Sequence, residues 1–295
     1  MEEPAFVQLL ARLRRGKKGL TMKEITLEEL LEAGCHFGHQ VTRSNPKARD
    51  FIFEARDNIH IIDLAKTKEG LEEAAAFIKA LASKGGSLIV VGTKRQAKGI
   101  VEDAFKRAKE KETADGLFYI TNRWVGGLLT NFQEVSKNFK KYHDLITDLQ
   151  DDELKAKYTK KEISGWDKER QKLEILYGGV ANITKLPDAL FIVDSHLEDL
   201  VVREALVTHL PTVAMVDTNA DPSIIDYPIP ANDDAVGSIK LIVNYIIDAW
   251  IEGRMTIKDK ESGIKNQESG VKEVREKTIS KKDTKSKTKT KIKNS

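Results

Sequence analysis

Cys35, His36 and His39 place three soft donors within five positions of one another, the spacing of half a zinc site. A structural zinc needs four ligands, usually from two segments, and the chain has 1 cysteine in all, so no metal or cofactor is expected. Gly92-Thr93-Lys94-Arg95 follows an apolar run and offers backbone amides and two cations to an anion. One phosphate of an RNA backbone suits that loop as well as a mononucleotide does. Equally admissible are two solvated cations in a first helical turn, where positive charge opposes the dipole. Neither glycine-rich phosphate pattern, G-x-G-x-x-G or G-x-x-x-x-G-K-[ST], is present. Asp194, Ser195 and His196 are adjacent, so their side chains diverge, and without a G-x-S-x-G elbow no catalytic triad is expected. Asp217, Asp221, Asp226, Asp233 and Asp234 fall in loop-like stretches where turn formation is favoured over a magnesium site.

Two clusters suit nucleic acid better. The first interleaves cations, amides and aromatics: His36, Phe37, His39, Gln40, Arg43, Asn45, Lys47, Arg49, Phe51, Phe53 and Arg56, with almost no acid before Glu54. Cations neutralise phosphates, rings stack on bases, and amides reach base edges or ribose hydroxyls. The second, Thr121-Asn122-Arg123-Trp124-Val125-Gly126-Gly127, sets an Arg-Trp pair and two glycines after a strand. Each alone also fits a core aromatic beside a surface ion pair; together with the Gly92–Arg95 loop they favour RNA.

The elements that must position these residues are legible from periodicity. Of 295 residues, 40% are hydrophobic and 32% charged, which suits a globular core and excludes a membrane protein. Asn58–Leu64, Ser87–Gly92, Phe118–Thr121, Ala189–Asp194 and Thr212–Asp217 read as strands, most of them apolar on both faces. Such strands belong to a parallel sheet covered by helices, a flavodoxin- or Rossmann-like α/β fold. Helices are expected over Lys68–Ser83, stopped by Gly85-Gly86, and over Ile239–Ile251. Between them, Phe132, Val135, Phe139, Tyr142, Ile146 and Leu149 recur at heptad spacing, and Ile163, Trp166, Arg170, Leu173 and Tyr177 repeat it behind a capping box at Thr159–Glu162. An inserted antiparallel coiled-coil hairpin over 131–179 is expected, the alternative being two helices lying flat on the sheet. It divides the α/β domain into 21–130 and 180–256. Residues 1–20 are expected to be a basic amphipathic extension. Residues 257–295 carry twelve Lys and one Arg against six acids and read as a disordered tail with net charge +7, leaving −4 for the remainder of a chain whose total is +3. RNA binding must therefore rest on local patches rather than overall charge. The acidic start Met1-Glu2-Glu3-Pro4 lacks a basic signal region, so a cytoplasmic protein is expected.

Leu31 to Gln40, Asn45-Pro46-Lys47, Ile59 to Leu64, Val91 to Lys94, Asn122 to Asn131, Leu186 to Ala189 and Val216 to Pro222 together resemble the bacterial ribosomal protein S two family, in order, from about Met22 to Arg254. The resemblance implies a non-enzymatic constituent of the small ribosomal subunit, bound to its ribosomal RNA near the head–body junction. It further implies contacts with neighbouring ribosomal proteins, above all docking of ribosomal protein S one for messenger capture, with no membrane and no homo-oligomer. By the same resemblance, RNA contact is expected at His36, His39, Gln40, Arg43, Lys47, Arg49, Lys94, Arg123, Trp124 and Asn131. Cys35 stands where the family commonly has an apolar residue and reads as a small hydrophobe. Two other classes stay in view: an enzyme using Gly92–Arg95 for phosphate and Asp217 or Asp221 for a metal, and a coiled-coil adapter that does not touch RNA.

Overall fold

The computed structural model describes residues 24–257; the basic extension over 1–20 and the lysine-rich tail beyond 257 lie outside the described residues. A short helix, α1 (Leu27–Glu32), begins with a capping box between Thr26 and Glu29. It leads into β1 (Phe37–Gln40), β2 (Ile52–Arg56) and β3 (Ile59–Ile62), a separate three-stranded antiparallel sheet in the order β1-β3-β2. This corrects the assignment of the Asn58–Leu64 run to the parallel sheet. The cause is local: Asp57 and Asn58 both adopt positive φ, at 52° and 62°, the geometry of a two-residue hairpin turn.

Helix α2 (Leu64–Ser83), capped by Asp63, leads to β4 (Leu88–Val91), α3 (Arg95–Glu110) and β5 (Leu117–Ile120). Three helical pieces follow, α4 (Phe132–Gln150), α5 (Asp152–Lys155) and α6 (Lys160–Tyr177). The chain then returns through β6 (Ala189–Ile192), α7 (Asp199–Thr208), β7 (Thr212–Val216), β8 (Tyr227–Pro230) and α8 (236–257). Five strands form one parallel sheet in the order β5-β4-β6-β7-β8. Strands β4, β6 and β7 are buried along their whole length, as their uninterrupted apolar runs require. Side chains alternate between two cores: Val90, Phe191 and Met215 meet Leu71, Ile78, Val101, Ile246 and Trp250 on one face. Ile89, Leu190, Ile192 and Ala214 meet Trp124, Leu128, Val202, Phe139 and Tyr177 on the other. Strand β8 has no counterpart in the sequence reading. Its prolines at 228 and 230 suppress a strand signal, yet an edge position with pairing on one side tolerates them.

Helices α4 and α6 run back along one another, and the capping box at Thr159 and Glu162 starts α6. At their root, Phe139 meets Tyr177 edge-on at 5.3 Å, and Asn138 Nδ2 donates to Tyr177 Oη at 3.3 Å. Val135, Phe139 and Tyr177 join the core beneath the sheet, so this end of the stripe is buried against the α/β body as well as against itself. Farther out, Lys141 pairs with Glu169, and Tyr142, Ile146, Leu149 and Ile163 line an open groove of about 770 Å³. Tyr119 N donates to Gly179 O at 3.2 Å where the chain leaves α6. A Cβ at Gly179 would stand 2.1 Å from the Tyr119 carbonyl oxygen, so the root docks on β5 only because that residue is glycine.

Candidate nucleic-acid interface

Because the large sheet is parallel, the segments that follow its strands emerge along one rim. The 121–131 loop follows β5, Gly92–Arg95 follows β4, Asp194–Glu198 follows β6, and Asp217–Pro222 follows β7. The 36–51 segment is tied to the same rim: His39 N donates to Thr218 Oγ1 at 2.9 Å, and Asn45 N to Thr218 O at 2.7 Å. Lys47 Nζ lies 2.6 Å from Asp221 and 3.2 Å from Ser223. Pro46 opens a 3₁₀ turn over Pro46–Phe51, with Asn45 Oδ1 accepting from Lys47 N at 3.0 Å. Gln40 and Arg43 before that turn, Lys47 and Arg49 on it and Arg56 on β2 are all exposed, and Phe53 on β2 is 71% exposed. His36 is half-buried against Phe37, ring centroids 4.0 Å apart, and burial lowers its pKa.

The centre of the rim differs from the sequence expectation. Lys94 Nζ reaches Asp194 at 2.9 Å, Asp233 at 2.8 Å and Asp234 at 2.7 Å. Burial alone would lower the Lys94 pKa, but the hydrogen bonds it donates to Asp233 and Asp234 and the nearby negative charge raise it. His39 Nδ1 lies 3.0 Å from Asp217, whose hydrogen bond raises the imidazole pKa against burial. Asp233, fully buried, is pushed up to about 7, first by burial and then by the charges of Asp194 and Asp217. With Glu198 also buried here and hydrogen-bonded to Thr93, the crevice holds more carboxylates than cations. Lys94, one of the two cations that the phosphate-binding reading of Gly92–Arg95 offered to an anion, is thus engaged by three carboxylates in this geometry, while Arg95 is exposed. His39, Asp233 and Asp234 each offer an atom within 4.8 Å of the others, a donor set for a divalent cation, although the Lys94 ammonium already engages both carboxylates. Asp217 and Asp221 have separate partners, and Asp194 Oδ1 accepts from Leu197 N at 2.8 Å instead of orienting His196. The elements of a phosphate–metal site or of a triad are not assembled among the described residues.

At the β5 end, Arg123 and Asn131 are exposed on either side of a fixed loop. The Glu204 carboxylate, 5% exposed, accepts from Trp124 Nε1 at 3.1 Å, Gly127 N at 2.7 Å, Leu129 N at 3.0 Å and Thr130 N at 3.3 Å. Burial opposes its charge, but the donors led by Gly127 and Leu129 hold its pKa below the usual carboxylate value. Trp124 is 5% exposed, with no ring face open to a base. Of the ten expected contact residues, the structure thus leaves Gln40, Arg43, Lys47, Arg49, Arg123 and Asn131 exposed, half-buries His36, His39 and Lys94, and buries Trp124. Glu204 escaped the sequence reading; its only signal is a charged residue on the helix face that also carries Val201, Val202 and Ala205.

Known proteins share this chain's sequence over most of its length. The family model described as Ribosomal protein S2 matches residues 30–253. A relative from Coprothermobacter proteolyticus, named small ribosomal subunit protein uS2, is 46% identical over 233 residues, covering 79% of this chain and 84% of its own. Its namesake in Fusobacterium nucleatum is 42% identical over 240 residues, covering 81% and 94%. Another from a Roseiflexus species is 47% identical over 233 residues, covering 78% and 85%.

Proposed function

The chain belongs to the ribosomal protein S2 family, and from that premise we propose that it is a structural constituent of the small ribosomal subunit that holds small-subunit ribosomal RNA without catalysing a reaction. One observation carries the RNA reading: exposed Arg43, Lys47 and Arg49 stand at one end of the rim and exposed Arg123 with Asn131 at the other, each on backbone tied to the body. Fixed cations position a phosphate backbone, and Gln40 and Asn131 supply donors and acceptors for bases or ribose. In this account His39, Lys94 and Trp124 act behind the surface, holding its shape. Position near the head–body junction and docking of ribosomal protein S one are finer parts of the same proposal, supported by the motif resemblance. So is a ribosome-bound, cytoplasmic location; among the described residues no helix is long and apolar enough to cross a membrane.

The test is a filter-binding titration of the purified chain against small-subunit rRNA over a range of salt. Changing Arg43, Arg49 and Arg123 together to Ala removes up to three phosphate contacts, so the slope of log K against log salt shrinks by about 2–3. An unchanged slope, with the fold intact by circular dichroism, contradicts the proposal.

A further inference from the structure

We infer that Glu204 is a positioning residue: its carboxylate fixes the 124–130 loop so that Arg123 and Asn131 meet RNA as one preformed unit. The inference rests on the rRNA-binding reading above and extends it to a side chain that cannot touch RNA. Glu204 lies on α7, whose Val201, Val202 and Ala205 share one core with Trp124, Leu128 and Leu129 of the loop, and is 5% exposed. Its two oxygens divide the loop between them. Oε1 takes Trp124 Nε1 and Gly127 N, while Oε2 takes Leu129 N, Thr130 N and the Thr130 hydroxyl. The anchored residues begin immediately after Arg123 and end immediately before Asn131. Within the loop, the remaining backbone ties are Leu128 N to Val125 O at 3.2 Å and Asn131 N to Gly127 O at 2.8 Å. Gly127 adopts φ of +90°, a conformation that lets successive amides turn toward one acceptor.

The donor arrangement requires a doubly accepting, charged group. A carboxamide keeps one oxygen but points an NH₂ at amides that also donate, so one of the two donor sets loses its acceptor. Removing the acceptor frees a loop that must then be ordered when RNA binds, and ordering at binding weakens affinity. Arg123 makes no ion pair among the described residues, so its direction depends on the chain on either side of it.

A double-mutant cycle tests this, using the full chain and small-subunit rRNA well below the melting temperature. E204Q is expected to weaken binding roughly tenfold, and R123A to cost several-fold less in the E204Q background than in the parent. Amides of Gly127, Leu129 and Thr130 lose hydrogen-exchange protection while those of β4 and β6 keep theirs. If E204Q fails to fold, E204D retains the charge with a shorter reach, and the same non-additivity is read with it. Full additivity, or a lowered melting temperature with unchanged affinity, overturns the positioning role while leaving RNA binding in place. If R123A in the parent changes nothing, RNA contact by this loop fails first and the inference with it.

Discussion

Trp124 donates its indole N–H to the Glu204 carboxylate at 3.1 Å, so the aromatic that looks most suited to stacking on a base faces the core. Trp124→Phe removes one hydrogen bond to a charged acceptor and is expected to lower stability by about 1.5–3 kcal/mol in urea denaturation. Its rRNA affinity, measured on the folded protein, should stay within about twofold of the parent, because the other donors to Glu204 persist. Full stability with lost affinity would mean that the ring stacks on RNA.

Lys94 and its carboxylates give a second expectation. Lys94→Met leaves Asp194 and Asp233 buried without a counter-charge and should cost about 3–5 kcal/mol at neutral pH. Lys94→Arg, which keeps the charge, should recover part of that loss. A cost below about 1 kcal/mol would show that the crevice is not held closed by these ion pairs.

The same cluster fixes the sign of a pH dependence. Asp233 titrates near 3.8 when unfolded and at about 7 when folded, so over that interval the native state holds the extra proton. Stability from this group is therefore greatest at low pH and falls as pH rises toward 7. His39, whose pKa is also raised, contributes in the same direction at higher pH. Asp233→Asn cannot titrate. The stability of the parent relative to this variant should drop by on the order of 1–3 kcal/mol between pH 5 and pH 8, and a constant difference would refute the assignment.

Along α4 the two ends of the apolar stripe should respond differently. Phe139 is buried at the root, and Phe139→Ala is expected to cost about 3–5 kcal/mol. Ile146 lines the open groove, and Ile146→Ala should cost less than about 1 kcal/mol in the isolated protein. Equal, large costs would show that the outer half of the helical pair is packed in solution.

Much of this was legible in the sequence because it depends on local pattern. Leu88-Ile89-Val90-Val91 and Ala189-Leu190-Phe191-Ile192 announced strands covered on both faces, and Thr159 with Glu162 announced the start of α6. The antiparallel sheet around β3 is hard to see in the sequence because Ile59 to Ile62 is nearly as apolar as a parallel strand, and Asp57-Asn58, whose positive φ makes the hairpin turn, carries no glycine to mark it. Lys94 looked like a phosphate ligand because the residues that neutralise it, Asp194, Asp233 and Asp234, are 100 or more positions away. Sequence neighbours cannot report such a partner. Trp124 was misplaced for the same reason, its acceptor Glu204 lying 80 residues downstream on a helix with no motif of its own.

The central claim is that exposed cations at both ends of one rim hold this chain on small-subunit rRNA. Sedimentation of a tagged chain through a sucrose gradient, comparing the parent with the Arg43, Arg49 and Arg123 triple alanine variant, addresses it most directly. The account predicts that the parent migrates with small subunits while the folded variant stays at the top of the gradient or leaves the subunit at moderate salt. A variant that co-migrates with small subunits as the parent does, at every salt concentration, contradicts it.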